Sequence, residues 1–277
     1  MNKLIFVAGA LSLASACMSL DGMVAPGEQL DAYDLPTDVI PADLQEIVSF
    51  ESGDGAKLYG MWAHQPTSKP PLIWIHGNGG SFQADFQRVE FYWGWQDYDV
   101  FALDYRGYGM SDGPAERDGI LEEDGLAAVQ YVSDTTGVPP EEIPWVALSL
   151  GAAVAAHTSD EIPARGIVLE SMFASTDRLL DEGSGLDLPT GWFFTDEWNN
   201  VEAVSHAISP VFVIHGLADD FIDPKFGREV YAAAPDPKQL WQPPGVNHSD
   251  SIEVVPDEYT QKVKAFFADP DGDPSTP

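Results

Sequence analysis

Four stretches of the chain carry residue types that could act together on an acyl carbon. In "ALSLGAAVA", Ser149 stands between Ala147 and Gly151, after an apolar run and before a run of small residues. A serine on a tight turn between a strand and a helix, with small residues two before and two after, is exposed as a nucleophile. On such a turn the Leu150 amide sits at a helix N-terminus, where the dipole favours negative charge. In "IWIHGNGG", glycines at 77, 79 and 80 let backbone amides approach a developing oxyanion closely. In "VFVIHGLADDFIDP", Asp219, Asp220 and Asp223 all follow an apolar strand and could orient an imidazole. In "QPPGVNHSD", His248 lies in a loop that Gly245 and Asn247 favour as a tight turn. Each feature alone has a bland explanation: a capping serine, a plain turn, a solvated acidic loop, an incidental histidine. His76 and His215 end strands, His64 lies on an early strand, and His157 and His206 fall in helical patterns.

These residues need elements to bring them together, and the sequence supplies them. "EIVSFES" and "AKLYGMWAH" read as an antiparallel pair turning at Gly53-Asp54-Gly55. "PLIWIHG", "YDVFALDYRGYG", "IPWVALS", "RGIVLES", "SPVFVIHG" and the shorter "KQLWQPP" read as further strands, mostly short apolar runs of the kind buried in parallel sheets. Helical spacing appears in "SFQADFQRVEFYWGWQ", "GILEEDGLAAVQYVSDTTG" (closed by Gly137), "LGAAVAAHTS", "KFGREVYAAA" and "VPDEYTQKVKAFFA". Alternation of this kind predicts an α/β fold, a mostly parallel eight-stranded sheet with helices on both faces. Ligands then bind at the carboxyl ends of the strands, where all four stretches fall.

The order Ser149, Asp219, His248, each after a successive late strand, is the chain order of the α/β-hydrolase triad. From about Glu46 to Ala268 the sequence resembles that superfamily, with "IHGNGG", "DYRGYGMSDG", "ALSLGAAVA", "VLESMF", "VIHGLADDFID" and "VNHSD" as its landmarks. It is most similar to the small-lid serine hydrolases that include protein depalmitoylases and serine aminopeptidase-like enzymes. Ala147 departs from the commoner glycine. The resemblance implies Ser149 as nucleophile, His248 as general base, and Asp219 rather than its neighbours as orienting acid. It further implies an oxyanion site from the amides of Leu150 and Asn78, with Gly79 as the alternative to Asn78. The expected substrate is a small acyl compound, an ester or thioester cleaved through an acyl-enzyme. Two other readings stay open: a peptidase or amidase of the same fold, and a non-catalytic surface-tethered binding protein. A small lid is expected at about 172–209, in which Trp192, Phe193 and Phe194 either line an acyl pocket or pack the lid on the core. No cofactor is expected: "GNGGSF" lacks the spacing of a dinucleotide fingerprint, and the six histidines are too scattered for a metal cluster.

Composition bounds the rest. The 277 residues are 44% hydrophobic, enough for a sizeable core, but carry 45 acidic against 13 basic side chains, a net charge of -32. Such a surface repels nucleic acid and anionic lipid headgroups. Residues 1–16 read as a signal peptide, with Lys3, a short apolar run and Ala14-Ser15-Ala16 before Cys17, the only cysteine. This resembles a bacterial lipoprotein signal, which makes Cys17 the expected lipidation site of an exported, envelope-anchored protein, with a plain secreted or periplasmic form as the alternative. Contact with membrane is then expected only through that anchor. Residues 17–44 read as an acidic tether or wrap-around segment, 45–268 as the folded domain, and 269–277 as a disordered tail.

Overall fold

A computed structural model describes residues 29–78, 80–113, 119–182 and 198–272. Cys17, Gly79 and the Trp192–Phe194 cluster lie outside the described residues.

Eight strands form one sheet: β1 (Gln45–Glu51), β2 (Lys57–Ala63), β3 (Pro71–Ile75), β4 (Asp99–Asp104), β5 (Pro144–Leu148), β6 (Gly166–Glu170), β7 (Val211–Ile214) and β8 (Lys238–Trp241). Their order is β1-β2-β4-β3-β5-β6-β7-β8. The β1–β2 and β2–β4 pairs are antiparallel, and every later pair is parallel. Strands β3 to β7 are buried along their whole length, which is why they read as unbroken apolar runs rather than as alternating ones. The eight-stranded α/β expectation holds.

Helices cover both faces. On one side lie α2 (Ile120–Thr136), α3 (Leu150–Thr158), α5 (Asn200–Ser205) and α6 (Lys225–Ala233), packing Val129, Val154, Val204, Phe226 and their neighbours onto the sheet. On the other lie α1 (Phe86–Trp93) and α8 (Pro256–Ala268), whose Phe86, Tyr92, Tyr259 and Phe266 meet Trp74 and Phe212. The short α4 (Thr176–Glu182) precedes α5 in the expected lid region, and α7 (Ser251–Val254) is a four-residue helix that the apolar spacing does not announce.

Residues 29–44 follow the wrap-around alternative rather than a free tether. Ile40 is fully buried, and Tyr33 packs on Phe82 at 4.5 Å between ring centroids. The Tyr33 hydroxyl also donates to Asp104 Oδ2 at 2.6 Å. Apolar side chains spaced through an acidic segment give it a reason to lie down.

The β5–α3 junction carries backbone strain. Ser149 has φ 53° and ψ -112°, a region costing a non-glycine residue about 1–3 kcal/mol. Two residues on, α3 passes so close to the end of β3 that a Cβ on Gly151 would stand 2.4 Å from the Ile75 carbonyl oxygen and 2.5 Å from that of His76. Only glycine allows that approach. Gly151→Ala should therefore destabilise the fold by at least about 1–3 kcal/mol, the usual cost of overpacking. A urea midpoint equal to that of wild type would contradict this packing.

Candidate active site

Ser149 is half-buried at the exit of β5. Its amide donates to the Glu170 carbonyl at 2.8 Å, extending the β5–β6 ladder by one bond before the chain turns into α3. The side chain faces the loop after β3, since a Cβ built on Gly77 would lie 3.5 Å from Ser149 Cβ. Ser149 Oγ makes no hydrogen bond among the described residues. The amides of Leu150 and Asn78 likewise have no protein acceptor among the described residues. Leu150 opens α3, so its amide is one of the unpaired donors that every helix start leaves. Asn78 is exposed, and its side-chain Oδ1 accepts from the Tyr108 hydroxyl at 2.6 Å, which steadies the loop.

Asp219 and His248 meet. His248 Nδ1 lies 2.9 Å from Asp219 Oδ2. A carboxylate facing Nδ1 fixes the tautomer with the proton there and leaves Nε2 as the basic nitrogen. Asp219 Oδ1 accepts the amides of Phe221 at 3.0 Å and Ile222 at 2.8 Å. His215, at the end of β7, brings Nε2 to 2.9 Å from the Ile222 carbonyl and 3.2 Å from Asp219 Oδ2. Burial pushes the Asp219 carboxyl up, but the contacts from His215 and His248, the His248 charge and the Ile222 amide outweigh it and hold it well below the usual carboxylate range.

Of the rival acids, Asp223 is engaged elsewhere. Asp223 accepts the Lys225 amide at 2.8 Å, at the start of α6, while the Asp220 backbone amide donates to Asn247 Oδ1 at 3.0 Å.

The loops bearing acid and base are laced together. Ala218 and Leu217 donate their amides to the carbonyls of Val246 and Pro243, both at 2.9 Å. At Gly216 a Cβ would stand 2.2 Å from the Val246 oxygen, so glycine permits this approach. Phe221 sets its ring edge-on to the His248 imidazole at 5.0 Å. Phe221, Leu217 and Val254, all on these loops or the following helix, are large apolar side chains left exposed.

No hydrogen bond joins Ser149 to His248 among the described residues; what connects their segments is Glu170. Its backbone carbonyl holds the Ser149 amide, while its carboxylate takes Arg88 Nη1 at 2.7 Å, the Ser251 hydroxyl, and the Tyr259 hydroxyl at 3.1 Å. Arg88 Nη2 then donates to the Ser249 carbonyl at 2.6 Å. Burial raises the Glu170 carboxyl, yet the Arg88 charge and the hydrogen bonds from Arg88, Ser251 and Tyr259 bring it below its ordinary value.

His76 is fully buried, with Nδ1 2.7 Å from the Gly77 carbonyl and Nε2 3.2 Å from Asp104 Oδ1. Burial opposes its charge, but Asp104 and the Gly77 carbonyl overcome that and raise its affinity for a proton. It supports the loop after β3 from beneath. Among the described residues, no group of three or more His, Cys, Asp or Glu side chains could hold a metal ion.

Known proteins supply an independent comparison. No protein-family model matches the chain. It is 33% identical over 220 residues to Rv2307c of Mycobacterium tuberculosis (strain H37Rv), an uncharacterised protein, spanning 76% of this chain and 74% of that one. It is 30% identical over 207 residues to alpha/beta hydrolase domain-containing protein 17C of Mus musculus, spanning 73% of this chain and 61% of that one. The structure of the Pyrococcus furiosus esterase Pf2001 superposes with a TM-score of 0.71 at 23% identity, over 87% of this chain and 95% of that one. The chain shares the α/β-hydrolase fold with that esterase. In that fold a serine nucleophile tops a strand-to-helix turn, and the acid and the histidine follow it in chain order; here the loops in question are those after β5, β7 and β8. Those are the loops that hold Ser149, Asp219 and His248 here.

The depressed Asp219 carboxyl has a consequence for acid stability. A carboxyl whose folded pKa lies below its unfolded value of about 3.9 stabilises the fold above that value, and the contribution fades as the pH falls through the folded pKa. Asp219→Asn should thus be less stable than wild type at neutral pH, and the difference should shrink as the pH drops below about 4. Urea unfolding of both proteins at several pH values measures it. A gap that is constant with pH would contradict the assignment.

Proposed function

We propose that this chain of α/β-hydrolase fold is a serine hydrolase that cleaves carboxylic ester or thioester bonds through an acyl-enzyme on Ser149. The observation that carries the reading is the combination of a strained Ser149 at the start of α3 with the His248–Asp219 hydrogen bond. A cost in backbone strain at Ser149, together with a histidine whose tautomer a buried carboxylate fixes, has little purpose in a protein that only binds. The esterase Pf2001, of the same fold, supports the ester-type reading.

In the proposed sequence, Ser149 Oγ gives its proton to His248 Nε2 and attacks the acyl carbon. The carbonyl π electrons move onto oxygen, and the amides of Leu150 and Asn78 receive the oxyanion. Asp219 stabilises the imidazolium without taking its proton. The oxyanion then reforms the carbonyl and the leaving alkoxide or thiolate takes the proton from His248. Water, deprotonated by the same imidazole, repeats the steps on the acyl-enzyme, releases the acid and restores Ser149. Hydrogen bonds between nucleophile and base commonly tighten only when substrate is present, which accommodates the open Ser149 hydroxyl.

Phe221, exposed and set against the His248 imidazole, gives the base an apolar neighbour, which favours uncharged substrates with modest acyl or alkyl groups. The charge of -32 works against substrates that are anionic themselves.

Steady-state hydrolysis of p-nitrophenyl esters from acetate to decanoate, beside aminoacyl p-nitroanilides, tests the reading. Wild type should turn over the esters, with a maximum at short to medium chains, and Ser149→Ala should lose about 10⁴-fold or more in kcat/KM. Preferred turnover of the anilides would favour a peptidase. Equal rates for wild type and Ser149→Ala would end the nucleophile assignment.

A further inference from the structure

One buried ion pair that the proposed chemistry does not use is bonded to the histidine loop. Arg88, on α1, and Glu170, at the end of β6, are each 2% exposed. They pair through two contacts, Nη1 to Oε2 at 2.7 Å and Nη2 to Oε1 at 3.1 Å. The pair sits among aromatic side chains: the guanidinium lies 5.5 Å from the Trp74 ring, and the hydroxyls of Tyr92 and Tyr259 close the sides. A buried ion pair in such a setting is a poor device for stability, because apolar side chains of similar volume often serve the fold as well or better.

What the pair does hold is specific. Arg88 Nη2 donates to the carbonyl of Ser249, one residue after His248, at 2.6 Å. Glu170 accepts from the Ser251 hydroxyl, three residues after His248. Ser249 itself has φ 61°, a left-handed backbone that a serine adopts at a cost and that must be held from outside. The same Glu170 accepts the Ser149 amide through its backbone. One residue thus grips the Ser149 turn with its main chain and the start of α7, just past the histidine loop, with its side chain.

We propose that Arg88 and Glu170 are positioning residues that lock the backbone after His248 in register with Ser149, so that the imidazole stays within proton-transfer reach of the hydroxyl. This inference rests on the serine-hydrolase reading above. Arg88 is suited to the task because its planar fork satisfies a carboxylate and a carbonyl at once, which the single ammonium of lysine does less well. Ser251 is the link that can be cut without leaving a buried charge unpaired.

The test is the activity of the full-length protein on the best p-nitrophenyl ester, with thermal unfolding measured in parallel. The double variant Arg88→Met/Glu170→Leu should keep the wild-type melting temperature to within a few degrees. Its kcat should fall tenfold or more while KM changes less than twofold, since the loop moves the base and not the substrate. Arg88→Lys alone should lower kcat as well, because a single ammonium cannot hold both the carboxylate and the Ser249 carbonyl. Should the double variant fail to fold, Ser251→Ala decides: a several-fold loss of kcat at an unchanged melting temperature supports the lock, and a wild-type kcat overturns it. A folded double variant with wild-type kcat overturns the positioning role and leaves the hydrolase reading intact. A wild-type protein inert toward every ester overturns that reading, and this inference with it.

Discussion

The register between β5 and β6 governs the site. It places Leu148 opposite Glu170 and lets the Ser149 amide reach the Glu170 carbonyl as the chain leaves the sheet. From that point Ser149 takes its left-handed turn, and Gly151 passes against the carbonyls of Ile75 and His76. The loop after β3 is thereby brought beside the serine. A slip of one residue would turn every side chain of β5 to the opposite face and send Glu170 away from Arg88. The parallel ladder is therefore the frame on which Ser149, the loop after β3 and the histidine loop are mutually placed.

Polar groups then form two separate tiers. In the upper one, Asp219 gathers His248, the amides of Phe221 and Ile222, and the neighbouring His215, so that its charge is met from several sides. In the lower one, Arg88 and Glu170 hold the carbonyl of Ser249 and the hydroxyl of Ser251. Both tiers act on the single loop between β8 and α7. That loop has no regular structure of its own, and its shape comes from groups contributed by α1, β6 and the loop after β7.

Much of this architecture is legible in the sequence. Strands buried on both faces must be continuous apolar runs, so β3 to β7 stand out, and glycines and a serine at their ends mark the functional edge. Asp219 is harder to separate from Asp220 and Asp223, because three acidic residues in one loop differ in nothing but where the backbone aims them. Asp223 turns back to the start of α6, a short-range hydrogen bond that spacing does not reveal. Arg88 and Glu170 are harder still. A charged residue on an amphipathic helix reads as solvated, and only its partner 82 positions away shows that it is buried. The one local hint is Glu170 directly after the apolar "GIVL" of β6. Tyr33 and Ile40 anchor a segment whose acidity and prolines suggest a loose tether, since a few well-placed apolar contacts outweigh the average character of the stretch.

The most direct measurement of the central claim is the site of covalent modification by a fluorophosphonate, read by peptide mass spectrometry on the intact, folded protein. The account predicts one phosphonyl group per chain, on the tryptic peptide containing Ser149, with labelling slowed by Asp219→Asn and by His248→Ala. Absence of any adduct, or an adduct on a different serine, would contradict it.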